Sequence, residues 1–167
     1  MKKRRFFALF LVLGLLVSLL SVTASAFEEI DVDARAALLV EKETGEILYE
    51  KNAHEKNYPA SITKLTVALL VFEAIDAGQL SLDQPITARE SAFEGLSIYG
   101  STAGIKVGEQ VTVKDLLYAL MLPSANEAAY MLARHVGGSW EQFVDMMNER
   151  AAELGCTGTH FCNPCGL

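Results

Sequence analysis

Tyr58-Pro59-Ala60-Ser61-Ile62-Thr63-Lys64 is the stretch whose reading decides the rest. Pro59 suits the start of a helix and keeps Tyr58 out of helical geometry. Leu65 to Ile75 follows, almost wholly apolar, and Asp76-Ala77-Gly78 supplies a glycine stop. This predicts a helix of about four turns. From Ile62 to Phe72 it is apolar on nearly every side, which predicts a buried central helix. Ser61 and Lys64 stand three residues apart and fall on one face of its first turn. A lysine in such surroundings needs partners or must lose its proton. A serine hydroxyl needs a neighbour to take its proton before it attacks. The pair is therefore a candidate nucleophile and base, with helix N–H groups nearby for an oxyanion. The plainer alternative is that Ser61 caps the helix and Lys64 extends to water.

Upstream, Lys2, Lys3, Arg4 and Arg5 precede an apolar run from Phe6 to Leu20, and Ala24-Ser25-Ala26 forms an A-x-A site. That is the layout of a secretory signal peptide, residues 1–26, and it predicts export. An uncleaved anchor is the alternative, but the run is short for a membrane span. Without residues 1–26 the chain keeps 141 of its 167 residues, with 10 basic against 21 acidic side chains. So acidic a domain is a poor partner for nucleic acid. Its apolar content is ample for a single core.

Downstream, Ala36 to Glu41 and Ile47 to Glu50 read as two strands around the turn Glu43-Thr44-Gly45-Glu46. Residues 80–85 read as irregular, 88–94 as a short helix, and Gly95 to Gly108 as a long loop of the kind that often carries function. Thr112 and Asp115 resemble a capping box, and Pro123 ends the helix they open. A helix from Glu127 to Val136 stops at Gly137-Gly138. Ser139 caps another, with Phe143, Met146, Met147, Ala151 and Leu154 on its inner side and Gly155 as its stop. The expected order is two strands and then about five helices, an α+β chain. A lone hairpin is not a stable sheet, so further strands are expected beyond Leu167, where the chain breaks off in a turn-like run.

Ser124-Ala125-Asn126 sits between two helices, where a hydroxyl can relay a proton with Lys64 and an amide can hold a substrate carbonyl and the lysine. The alternative is that Ser124 caps the next helix. S-x-x-K followed by an S-x-N motif is the order found in penicillin-binding proteins and class A β-lactamases. The surroundings resemble the D-alanyl-D-alanine carboxypeptidases, the low-molecular-mass penicillin-binding proteins. The resembling segments are residues 43–53, 59–64, 107–113, 115–118, 123–129 and 161–167, so the likeness runs over essentially all of 34–167.

The resemblance implies a penicillin-binding-protein/β-lactamase-like transpeptidase fold: a five-stranded antiparallel sheet on helices, with a mostly helical subdomain and the active site between them. Residues 27–167 would be the N-terminal part of that catalytic domain, holding the first two strands and the helical part. It implies Ser61 as the acylated nucleophile, Lys64 as its base, Ser124 as proton relay and Asn126 as substrate-amide contact. The implied substrate is a peptidoglycan pentapeptide ending in D-Ala-D-Ala, with β-lactams as inhibitors and with neither cofactor nor metal. The implied location is the extracytoplasmic face of the cell membrane, held there by a C-terminal segment beyond residue 167.

Two positions depart from the family: Ala125 replaces a usual glycine, and Cys165 stands where histidine is frequent. No Lys-Thr-Gly or Lys-Ser-Gly follows Asn126, and that strand is expected beyond residue 167, as for a fragment or truncated gene product. Cys156, Cys162 and Cys165 around His160 leave a metal or redox site, one disulfide, or free thiols open. His54 and His135 read as surface residues. The rivals are a class A β-lactamase, which needs a deacylating glutamate on a later loop, and a non-catalytic wall-binding protein.

Overall fold

A computed structural model describes residues 31–97 and 99–167. The expected signal peptide, residues 1–26, lies outside the described residues. The described chain falls into two compact units that divide after Ala53.

In the first, strands β1 (Ala37–Val40) and β2 (Ile47–Lys51) form an antiparallel hairpin with a register shift between Leu39 and Val40. Its turn is tied by Glu41, whose carboxylate accepts from the Thr44 amide at 2.6 Å and the Thr44 hydroxyl at 2.7 Å. Gly45 supplies the left-handed residue, φ +74°. Lys51 donates to Asp31 at 2.8 Å and to the Val32 carbonyl at 2.6 Å.

The second unit, His54–Leu167, is mainly helical. A 3₁₀ turn (Ala60–Thr63) runs into α1 (Lys64–Asp76). Strand β3 (Pro85–Thr87) pairs antiparallel with β4 (Gln110–Thr112). Helices α2 (Val113–Met121), α3 (Asn126–Gly137) and α4 (Trp140–Glu153) follow. Two starts match their expected caps. Thr112 Oγ1 accepts the Asp115 amide at 3.1 Å and donates to the Asp115 carboxylate at 2.7 Å. Ser139 Oγ accepts the Gln142 amide at 3.1 Å. Each such cap contributes about 1 kcal/mol.

Helix α3 is the centre of this unit and packs on α1, α2 and α4. Its buried face is Ala128, Ala129, Leu132 and Ala133, and such short side chains let neighbouring helices come close. Val67 and Val71 of α1, Leu116 and Leu120 of α2, and Phe143 and Met147 of α4 fill the rest. Gly137 marks the tightest approach. A Cβ there would stand 2.8 Å from Phe143 Cβ, so α3 meets α4 only with glycine at that point.

Five expectations need correction. Residues 80–112 contain the β3–β4 pair, where the sequence suggests irregular chain, a short helix and a long loop. Its strands of three residues are too short to show an alternating pattern. The helix expected over 88–94 is a single 3₁₀ turn, Glu90–Ala92. Four α-helices are present among the described residues, not about five. Helix α1 is not buried all round. Ile62 is 67% exposed and Phe72 49%, with Leu65 and Leu69 along the same stripe. At about 100° per residue these four share one face, and no described element of this unit covers it. Leu154, expected on the inner side of α4, is instead its exposed C-cap residue. Among the described residues no helix is long and apolar enough to cross a membrane.

Candidate active site

The 3₁₀ turn explains how Ser61 and Lys64 meet. With three residues per turn, side chains at i and i+3 eclipse one another. Ser61 is exposed, while Lys64, the first residue of α1, is only 2% exposed. Lys64 Nζ donates to Ser61 Oγ at 3.2 Å. From the other end of the core it donates to Ser124 Oγ at 3.1 Å and to Asn126 Oδ1 at 2.8 Å. The structure thus brings all four candidate residues to one point. The capping alternatives are not realised. α1 and α3 have Thr63 and Ala125 at their N-caps, with no side-chain cap on either.

Burial pushes the Lys64 ammonium below its ordinary 10.5, while the charges of Cys165 and Glu127 pull the other way. As a neutral amine, Lys64 keeps two N–H donors for Ser124 and Asn126, and its lone pair can take the Ser61 proton. The arrangement can therefore generate a serine alkoxide without a histidine.

Backbone strain flanks the site on both sides. Ala60 has φ +48° and Ser124 φ +60°, both left-handed conformations that non-glycine residues rarely adopt. Strain of about 1–3 kcal/mol at such positions persists only where the surroundings enforce it.

The surroundings are the segment 161–167 and the loop before β4. Asn148 of α4 grips Phe161 from both sides. Its Nδ2 donates to the Phe161 carbonyl at 2.9 Å and its Oδ1 accepts the Phe161 amide at 2.7 Å. Asn163 Oδ1 then accepts the amides of Cys165 at 3.0 Å and Gly166 at 2.6 Å. Gly166, φ +82°, lies so close to the nucleophile's turn that a Cβ there would overlap the Ala60 carbonyl and stand 2.8 Å from Thr63 Oγ1. Cys165 is buried and acts on both Lys64 and Tyr130. Burial, reinforced by Cys165, pushes the Tyr130 phenol up to about 12. All three cysteines are free thiols, and among the described residues no cluster of His, Cys, Asp and Glu is arranged to hold a metal.

Sequence reading missed Glu127, Tyr130 and Gly166 as neighbours of this site. Glu127 carried a weak signal, an acid directly after Asn126 in a helix's first turn. Gly166 carried none, because its role comes from a contact across more than a hundred residues.

The geometry has close counterparts. The model of the D-alanyl-D-alanine carboxypeptidase family matches residues 22–167. D-alanyl-D-alanine carboxypeptidase DacF of Bacillus subtilis is 38% identical over 159 residues, covering 90% of this chain and 40% of its own length. The structure of D-alanyl-D-alanine carboxypeptidase DacD from Francisella tularensis superposes with a TM-score of 0.78 at 37% identity, over 84% of this chain and 33% of that one. Penicillin-binding protein 5 from Haemophilus influenzae gives 0.79 at 30% identity, over 84% and 41%. The chain spans well under half the length of each of these relatives. Its α+β fold is that of the penicillin-binding D-alanyl-D-alanine peptidases. With a matching family model over most of its length and a fold shared with solved members, the chain belongs to the D-alanyl-D-alanine carboxypeptidase family.

Proposed function

We propose that this protein takes part in serine-type D-Ala-D-Ala carboxypeptidase chemistry on peptidoglycan stem peptides. The observation that carries this reading is the position of Lys64 Nζ, within 3.2 Å of Ser61 Oγ, Ser124 Oγ and Asn126 Oδ1 together. Neutral Lys64 takes the Ser61 proton as Oγ attacks the carbonyl of the D-Ala–D-Ala bond. The Ser61 backbone N–H stabilises the oxyanion. Ser124 relays that proton from Lys64 to the leaving amine, taking it up as it gives its own, the terminal D-alanine departs, and water releases the peptide from Ser61. Asn126 aligns the substrate amide and keeps Lys64 aimed at the nucleophile. A β-lactam presents its own amide to the same serine and leaves it acylated.

The substrate lies outside the cytoplasm, in keeping with the basic and apolar leader at residues 1–26. We take residues 27–167 as part of the catalytic domain. The test is intact mass and peptide mapping after exposure to benzylpenicillin, once circular dichroism has shown a folded chain. A penicilloyl adduct on Ser61, absent in Ser61→Ala, is the expected result. A folded chain that stays unmodified would show that these residues alone do not acylate.

A further inference from the structure

Glu127 is 2% exposed and forms no ion pair with a neighbouring basic side chain among the described residues. A carboxyl group so deeply buried needs a reason, because removing it from water is costly. Its Oε1 accepts the Thr102 hydroxyl at 2.7 Å and the Ala103 amide at 2.7 Å. Thr102 Oγ1 in turn accepts the Gly104 amide at 2.9 Å. One residue earlier, the Asn126 amide donates to the Ser101 carbonyl at 2.9 Å. The segment 101–104 is therefore sewn onto the first turn of α3.

The same segment touches the catalytic side of that turn. Gly100 runs so close to Asn126 that a Cβ on it would stand 2.6 Å from Asn126 Nδ2. The Asn126 amide is thus held between the loop backbone and Lys64 Nζ. A cavity of about 270 Å³ opens beside it, with Phe93, Ser97, Gly100, Thr102, Asn126 and Glu127 in its walls. If the loop lifted, Asn126 would lose the wall that sets its rotamer, and Lys64 would lose its shortest partner.

We infer that Glu127 is a positioning residue: its buried carboxylate clamps the Ser101–Gly104 segment onto α3 and thereby fixes the Asn126 side chain on which Lys64 rests. It also places a negative charge near the lysine. The titratable groups that act on Lys64 are Glu127 from α3 and Cys165 from the segment 161–167, and both favour its charged form against the effect of burial. The catalytic consequence rests on the reading of Ser61 and Lys64 proposed above. The clamp itself does not.

The experiment is nuclear magnetic resonance on the full chain with ¹⁵N and lysine-¹³Cε labels. It compares wild type, Glu127→Gln, Glu127→Ala and the exposed-loop variant Thr102→Val. Lys64→Arg assigns the Lys64 signal. Amide exchange at Ala103 reads the clamp, the Asn126 side-chain amide reads the rotamer, and the ¹³Cε titration reads Lys64. Glu127→Ala is expected to speed exchange at Ala103 by about tenfold or more and to move the Asn126 amide resonances. Glu127→Gln can still accept from both donors and should hold Ala103 within about threefold of wild type. It should nevertheless lower the Lys64 midpoint, because the attracting charge is gone. Thr102→Val should move the Asn126 resonances without touching α3.

A purely structural role would lower thermal stability and leave Asn126 and Lys64 unchanged. A folded Glu127→Ala or Thr102→Val chain with wild-type Asn126 resonances and a wild-type Lys64 midpoint overturns the inference. Should Glu127→Ala fail to fold, Glu127→Gln and Thr102→Val decide it. Failure of Ser61 to acylate would count against the proposed function and leave these readouts intact.

Discussion

Lys64 Nζ lies 2.8 Å from Asn126 Oδ1, closer than to either serine hydroxyl beside it. The first residue of α1 is thereby held by the first residue of α3, 62 positions downstream. Neither helix aims the lysine alone. Asn126 accepts without carrying charge, so it orients the amine and leaves burial free to lower its pKa.

Asn126→Asp should undo that balance. A carboxylate at the same distance favours the charged lysine and raises its pKa. Acylation of Ser61 at neutral pH should fall by about tenfold or more. The pH–rate profile should move to higher pH, read as penicilloyl formation by mass spectrometry.

Lys64 should also leave a mark on stability. Its folded pKa is depressed below the ordinary 10.5. Between the two values the unfolded chain binds more protons, so stability rises with pH across that window. The cost is fully present below the folded pKa and is relieved as pH rises toward that of the unfolded chain. Lys64→Met carries no such term. Its stability relative to wild type, from denaturant melts at several pH values, should decline as pH rises, by about 1.4 kcal/mol for each unit of depression.

Ser124 separates hydroxyl from backbone. With φ +60° it is strained in any residue that has a Cβ. Ser124→Gly should be more stable than Ser124→Ala by about 1 kcal/mol in urea melts, since only glycine adopts that conformation freely. Both should lose acylation equally, because both lack the hydroxyl 3.1 Å from Lys64.

Gly166→Ala should cost about 1–3 kcal/mol, because a methyl group meets the Ala60 carbonyl and Thr63 while the backbone stays left-handed. The damage should reach the nucleophile. Ser61 acylation should slow more than the loss of folded protein explains, measured under conditions where the variant is still folded.

Asn148→Ala removes both bonds to Phe161. Losing a half-buried amide that pairs with backbone costs about 1–3 kcal/mol. Hydrogen exchange should quicken in residues 161–167 ahead of the α3 core.

The legible parts of this molecule were those governed by near neighbours. The hairpin at 37–51 followed from two short apolar runs either side of a turn that carries Gly45. The starts of α2 and α4 followed from Thr112 and Ser139, whose side chains bond to amides three residues on. Ser61 and Lys64 come within hydrogen-bond distance for the same reason, three residues of a tight turn. Where local rules gave two answers, as for a capping Ser124, the fold chose the rarer one and turned the hydroxyl onto Lys64.

What the sequence determined by itself was the set of chemical groups and the local turns that display them: Ser61 over Lys64, and Ser124-Ala125-Asn126 at a helix junction. Only the tertiary structure decided that these two displays meet, that Gly166 presses on the turn of Ser61, and that Glu127 holds the loop against Asn126. It also left the stripe from Ile62 in the 3₁₀ turn to Phe72 of α1 exposed, where an apolar sequence had predicted burial. The reason is the range of the forces. Turn and cap geometry is set by bonds within four residues, whereas which faces touch depends on how α1, α2 and α4 share the small-residue surface of α3.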